Sequence, residues 1–106
     1  MTATEAPTLE PDVVEATEAA ERTRHAPLWK VLFHDDDVTP MDFVTAVLMR
    51  FFGHDLQTAM RIMLTVHHTG LGLAGVYPLE LAELKREQVI SAARPRYPLR
   101  VTIEPA

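Results

Sequence analysis

The stretch His34-Asp35-Asp36-Asp37-Val38-Thr39-Pro40-Met41 sets three consecutive carboxylates between an apolar run and the start of a helix. Neighbouring like charges repel, so such a cluster calls for a cationic counterpart. That counterpart is a partner's basic group, a metal ion or a ligand ammonium. His34, His54, His67 and His68 are the other side chains whose chemistry operates near neutral pH.

A calcium loop needs a turn glycine and a bidentate glutamate at its end. Asp35, Asp37 and Thr39 are followed by no glycine, and Ala46 stands where the glutamate belongs. A transition-metal site built from His67 and the Asp35–Asp37 cluster is the alternative reading. It lacks a His-Glu-x-x-His motif, however, and His67 and His68 point about 100° apart if they share a helix. No cysteine is present to act as thiolate ligand or nucleophile. No nucleophile elbow occurs either, and only Thr65 and Thr69 lie near a histidine. The residues therefore favour binding over catalysis, and no cofactor is expected.

The elements that must position these residues are marked by their pattern. Trp29 to His34 is mostly apolar and β-branched or aromatic, as a strand requires. Thr39 reads as an N-cap, with Pro40 at the first helical position and Asp42 completing a capping box. The helix that follows carries Phe43, Val44, Val47, Leu48 and Phe51 on one face and stops at Gly53. Asp55 caps a second helix with Leu56, Ala59, Met60, Met63, Leu64 and Val66 as a broad apolar face; His67 and His68 occupy its last turn before Gly70. Leu71 to Val76 fits a short strand whose glycines permit close backbone approach. Pro78 opens a third helix, with Leu81, Leu84, Val89 and Ile90 expected to face the core. After a turn bracketed by Pro95 and Pro98, Leu99 to Glu104 alternates as a half-exposed strand. The order is β-α-α-β-α-β, an α+β sandwich of three short strands and three helices.

Composition narrows the classes further. With 106 residues the chain holds one domain, and 47% hydrophobic residues suffice for a core. A formal charge of −5 gives no basic footprint for nucleic acid. No apolar run is long enough to cross a membrane, and the N-terminus does not read as a secretory signal. Residues 1–27 differ from the rest: they are rich in Thr, Ala, Glu and Pro, with Leu9, Val13 and Val14 as the only large apolar residues after Met1. They are read as a flexible acidic extension, in which Val13 to Arg24 forms at most a transient helix. The core domain is expected over residues 28–106.

The stretch Trp29-Lys-Val-Leu-Phe-His-Asp-Asp-Asp-Val-Thr-Pro-Met-Asp-Phe-Val44, the segment Ala59-Met-Arg-Ile-Met-Leu-Thr-Val-His67 leading to Gly70, and Gly75-Val-Tyr-Pro-Leu-Glu-Leu-Ala-Glu-Leu-Lys85 resemble the ClpS adaptor family. Those adaptors recognise N-degrons and pass the substrate to a Clp unfoldase. The likeness runs from about Leu28 to the C-terminus. It implies capture of a free protein N-terminus whose first side chain is bulky and hydrophobic (Leu, Phe, Trp or Tyr), without enzymatic activity.

By that resemblance Asp35, Asp36 and His67 bind the α-amino group. Thr39, Met41, Val44, Met63, Val66 and Leu99 wall the pocket for the first side chain, with His34 near its rim and Met41 as a gate against β-branched residues. Glu80 and Lys85 match positions that face the unfoldase. Asp35 departs from the family's Asn, which removes an amide donor, and Val38 takes a place often aromatic. The implied setting is a cytoplasmic monomer working with a ClpA- or ClpC-type AAA+ unfoldase and ClpP.

Overall fold

The computed structural model describes residues 26–106. The acidic extension and its transient helix thus lie, but for Ala26 and Pro27, outside the described residues.

Six elements follow in the expected order: β1 (Leu28–His34), α1 (Met41–Phe52), α2 (Leu56–Thr69), β2 (Leu71–Pro78), α3 (Leu79–Ala93) and β3 (Arg100–Pro105). β1 is the central strand, antiparallel to β2 on one side and β3 on the other. The alternation of β1 puts Val31 and Phe33 fully inside, at 0% exposure. There they meet Ala74 of β2, Leu99 and Val101, together with Val44, Val47 and Leu48 of α1, Ala59 and Val66 of α2, and Ala82, Val89 and Ala93 of α3. One core joins all six elements.

Two features aim the site. Where β1 ends, the Asp35 amide donates to the Gly70 carbonyl at 3.0 Å, tying the start of the acidic loop to the end of α2. Gly70, at φ 89°, ends α2 in the left-handed region that favours glycine. At the other end of α2, the Asp55 carboxylate accepts from the Thr58 amide at 2.8 Å, the cap the sequence indicates.

Three details differ from expectation. Thr39 does not cap α1: the helix begins at Met41, Pro40 is the residue before it, and no side chain caps it. The Thr39 hydroxyl donates to Asp36 instead. Leu81 and Leu84 do not face the core but are exposed, at 39% and 51%. α3 packs through Ala82, Val89 and Ala93, with the two alanines bringing its backbone close to the sheet; Leu81, one place before Ala82, and Leu84, two places beyond it, are rotated about 100° and 200° away. The apolar face of α2 is likewise narrower. Ala59 and Val66 are buried while Leu56, Met60 and Leu64 are exposed.

Gly72 shows why α2 packs through a narrow seam. A Cβ built on it would overlap the Val66 side chain and come within 3.4 Å of the Ile62 carbonyl oxygen. The glycine admits the helix closely, as its place in a strand suggests.

Candidate functional site

A cavity of about 440 Å³ opens between the end of β1, the loop after it, the start of α1, the last turns of α2 and the residue preceding β3. Asp35, Asp36, Thr39, Met41, Val44, Met63, Val66, His67 and Leu99 all line it. Residues separated by more than sixty positions thus meet around one space. His34, Asp37, Val38 and Pro40 line it as well.

The cavity is divided by chemistry. Val44, Val66 and Leu99, with Met63 half-buried beside them, make an apolar floor. Val44 and Met63 reach it because α1 and α2 turn one helical face each toward it, and Val66 and His67 follow Met63 by three and four residues. Met41, at the first position of α1, stands at the opening with 45% of its surface exposed.

The rim is polar. Asp36 Oδ1 accepts from the Val38 amide at 2.8 Å and the Thr39 amide at 2.6 Å, while Oδ2 accepts from the Thr39 hydroxyl at 2.8 Å. Desolvation raises the Asp36 pKa, but the Thr39 amide and hydroxyl, the Val38 amide and the Arg94 guanidinium together outweigh it. The carboxyl ends below its ordinary value and is ionised at neutral pH.

Across the mouth, His67 Nδ1 lies 3.8 Å from Asp35 Oδ1, with 49% and 33% of the two side chains exposed. That is too far for a hydrogen bond between them. A nitrogen about 2.8 Å from each atom would bridge the pair with ordinary hydrogen-bond lengths. The arrangement can receive a small cation bearing several N–H donors, with an apolar group beneath it.

His34 carries more of the site than its rim assignment suggests. Its Nε2 is 2.8 Å from Thr102 Oγ1, across to β3. Burial, and then the nearby Arg100 charge, hold its pKa below the usual imidazole value. Alternation along β1 was the signal: His34 falls on the face opposite Phe33. His54 is half-buried, with Nε2 2.6 Å from the Ala74 carbonyl and its ring stacked on Phe52. It joins α1's end to β2.

The metal reading finds no ligand set. Among the described residues no group of three or more His, Asp or Glu side chains is placed to hold an ion, and Asp36 is turned onto Thr39 and Val38. Glu80 and Lys85 lie apart from the cavity on α3. Glu80 is exposed, whereas Lys85 Nζ donates to the Phe51 carbonyl at 2.6 Å, at the C-terminal end of α1. Among the described residues no helix is long and apolar enough to cross a membrane.

Residues 24–102 match the family model for the ATP-dependent Clp protease adaptor protein ClpS. The ATP-dependent Clp protease adapter protein ClpS of Aromatoleum aromaticum is 50% identical over 84 residues, covering 78% of this chain and 82% of its own length. That of Caulobacter vibrioides is 49% identical over 89 residues, covering 83% of this chain and 82% of its own length. Among solved structures, Agrobacterium tumefaciens ClpS2 bound to L-phenylalaninamide superposes with a TM-score of 0.74 at 34% identity, over 77% of this chain and all of that one.

Proposed function

The chain belongs to the ClpS family of Clp protease adaptors, and from that premise we propose that its cavity holds the free N-terminus of a protein destined for degradation. The carrying observation is that the polar rim of Asp35, Asp36 and His67 and the apolar floor of Val44, Met63, Val66 and Leu99 belong to one opening. Phenylalaninamide, bound by the Agrobacterium relative, has this shape of chemistry: an α-amino group beside a large apolar side chain.

A protein α-amino group, with a reference pKa of about 7.7–8.0, is mainly an ammonium at neutral pH. Carboxylate oxygens and a neutral imidazole nitrogen are acceptors for its donors. Each charge-assisted bond contributes roughly 1.5–3 kcal/mol, and burial of a Leu or Phe side chain a similar amount. After the entropic cost of association the affinity is expected on the order of micromolar, weak enough for handover.

In this reading Asp35, Asp36 and His67 receive the ammonium. Thr39, Met41, Val44, Met63, Val66 and Leu99 enclose the first side chain, and no residue acts as a catalyst. Residues 28–106 form the adaptor core, and residues 1–27 form an acidic extension to it. The unfoldase, of ClpA or ClpC type and working with ClpP, would meet the α3 surface at Glu80 and Lys85. Solvent-facing Leu81 and Leu84 beside Glu80 support such a contact, since they offer apolar area to a partner. The working form is a cytoplasmic monomer, without a cofactor.

Fluorescence titration with peptides that differ only in their first residue tests the proposal. Peptides beginning Leu, Phe, Trp or Tyr should bind, and their N-acetylated forms should bind at least about tenfold more weakly, having lost the charge and donors of the terminus. Equal binding of free and acetylated peptides would refute it.

A further inference from the structure

The chain has no cysteine, so methionine supplies all of its sulfur, at Met1, Met41, Met49, Met60 and Met63. Met41, Met49 and Met60 are exposed to nearly the same extent, at 45%, 40% and 42%, while Met63 is half-buried. Oxidation of a thioether follows its access to solvent, so the three exposed side chains are open to the same reagent. They differ in what surrounds them. Met60 lies on the outward side of α2 with Arg61, Leu64 and His68, and neither it nor Met49 lines the cavity. Among the described residues, Met41 is the one exposed methionine that does.

Met41 opens α1, and Val44, three residues on, lies on the same side of that helix in the apolar floor. A sulfoxide at Met41 would set a polar oxygen at the entrance to that floor. Such an oxygen only accepts hydrogen bonds, and the donors of the adjoining loop are committed: the Val38 and Thr39 amides and the Thr39 hydroxyl all donate to Asp36. The carboxylates of Asp35, Asp36 and Asp37, which line the same space, are acceptors alone when ionised. On the proposed reading the ammonium of a guest is taken by Asp35, Asp36 and His67. Water is then left to satisfy the sulfoxide, and an apolar side chain could pass only by stripping that water without replacing its hydrogen bond, which is unfavourable.

We propose that Met41 is an oxidation site through which a peroxide lowers the uptake of apolar first side chains. The inference rests on the function proposed above and adds a regulation of the same site. The sulfur lone pair attacks one oxygen of hydrogen peroxide and breaks the O–O bond. The transferred oxygen gives up its proton to the departing hydroxide, which leaves as water, so sulfur loses two electrons and the peroxide gains them. A methionine sulfoxide reductase returns the thioether. A chain without thiols thus carries its response to oxidant at the place where guests enter.

The test treats the full chain with hydrogen peroxide, locates the added oxygen by tandem mass spectrometry, and titrates a Leu-initiated peptide before treatment, after it, and after incubation with methionine sulfoxide reductases A and B. Oxygen is expected on Met41, Met49 and Met60, with the affinity falling at least about fivefold and recovering on reduction. Circular dichroism should show the same fold throughout. Met41→Leu keeps an apolar side chain of similar volume without sulfur, and its affinity should be the same before and after peroxide. Met63→Leu and the double variant Met49→Leu, Met60→Leu should each still show the loss. A Met41 that stays unmodified while Met49 and Met60 carry oxygen, a Met41 sulfoxide that binds as tightly as the untreated chain, or a Met41→Leu variant that loses as much affinity on treatment as the parent would overturn the oxidation site while leaving the cavity assignment standing. Failure of the untreated chain to bind the Leu peptide would instead overturn the cavity assignment, and the oxidation site with it.

Discussion

Asp36 and Thr39 are joined twice: the Thr39 amide donates to one carboxylate oxygen at 2.6 Å and the Thr39 hydroxyl to the other at 2.8 Å. With the Val38 amide as third donor, this carboxylate shapes the loop that it is proposed to use for binding. The two roles separate by mutation. Asp36→Ala removes all three acceptor contacts and should cost about 1–3 kcal/mol of folding stability. Asp36→Asn keeps one oxygen for the amides and should melt closer to the parent, yet lose about tenfold or more in affinity for a Leu-initiated peptide. Urea denaturation and peptide titration of both variants provide the check; an Asn variant with parental affinity would remove Asp36 from ammonium binding.

The lowered pKa of His34 sets a direction for acid stability. Its folded pKa lies below the ordinary value near 6.5 because of burial and Arg100. As pH drops below about 6.5, the unfolded chain takes up a proton that the folded chain resists, so stability declines until the folded pKa is passed. His34→Gln should flatten that decline. Asp36 adds a loss at lower pH: its depressed folded pKa contributes stability that is complete above the unfolded carboxylate value near 3.9 and disappears as pH falls through the folded one. Denaturant midpoints over a pH series for parent and His34→Gln would reveal the first slope, and an unchanged slope in the variant would count against it.

Met41 stands exposed at the opening, so shortening it should alter selection more than stability. Met41→Ala is expected to admit peptides beginning Ile or Val, while changing folding stability by no more than about 0.5 kcal/mol. If Leu peptides still bind and Ile peptides remain excluded, the gate lies elsewhere.

Asp35 faces His67 across 3.8 Å, where the family resemblance implies an asparagine. An ionised carboxylate only accepts, whereas an amide can also donate to a peptide carbonyl. Asp35→Asn should therefore change the order of affinities among peptides beginning Leu, Phe, Trp and Tyr. Calorimetry that returned the parental order would show that this position does not tune selection.

Much of the site was legible because its parts carry local signatures. The acidic loop is contiguous, and Met63, Val66 and His67 recur at helical spacing, so a helix alone brings them to one side. Their meeting with Leu99 required the sheet: Leu99 reaches the cavity only because β3 pairs with β1, a relation that periodicity does not encode. The misread cap has a similar cause. Thr39 satisfies the local rule for a helix start, but Asp36, three residues earlier, is the stronger acceptor and claims its hydroxyl. For Leu81 and Leu84, hydrophobicity pointed inward while the close packing of Ala82, Val89 and Ala93 decided the rotation of α3. The hold of Lys85 on the Phe51 carbonyl likewise depends on two helices meeting, which neither segment announces.

Gly72 lies against Val66, which lines the cavity, and has no room for a methyl group. Enlarging it would force Val66, and with it part of the cavity wall, to shift. On the proposed reading, discrimination among incoming side chains by size would thus be partly set from outside the chamber, by how near one strand allows a helix to lie. A relative bearing alanine there would be expected to differ in which first residues it accepts even with every cavity-lining side chain unchanged.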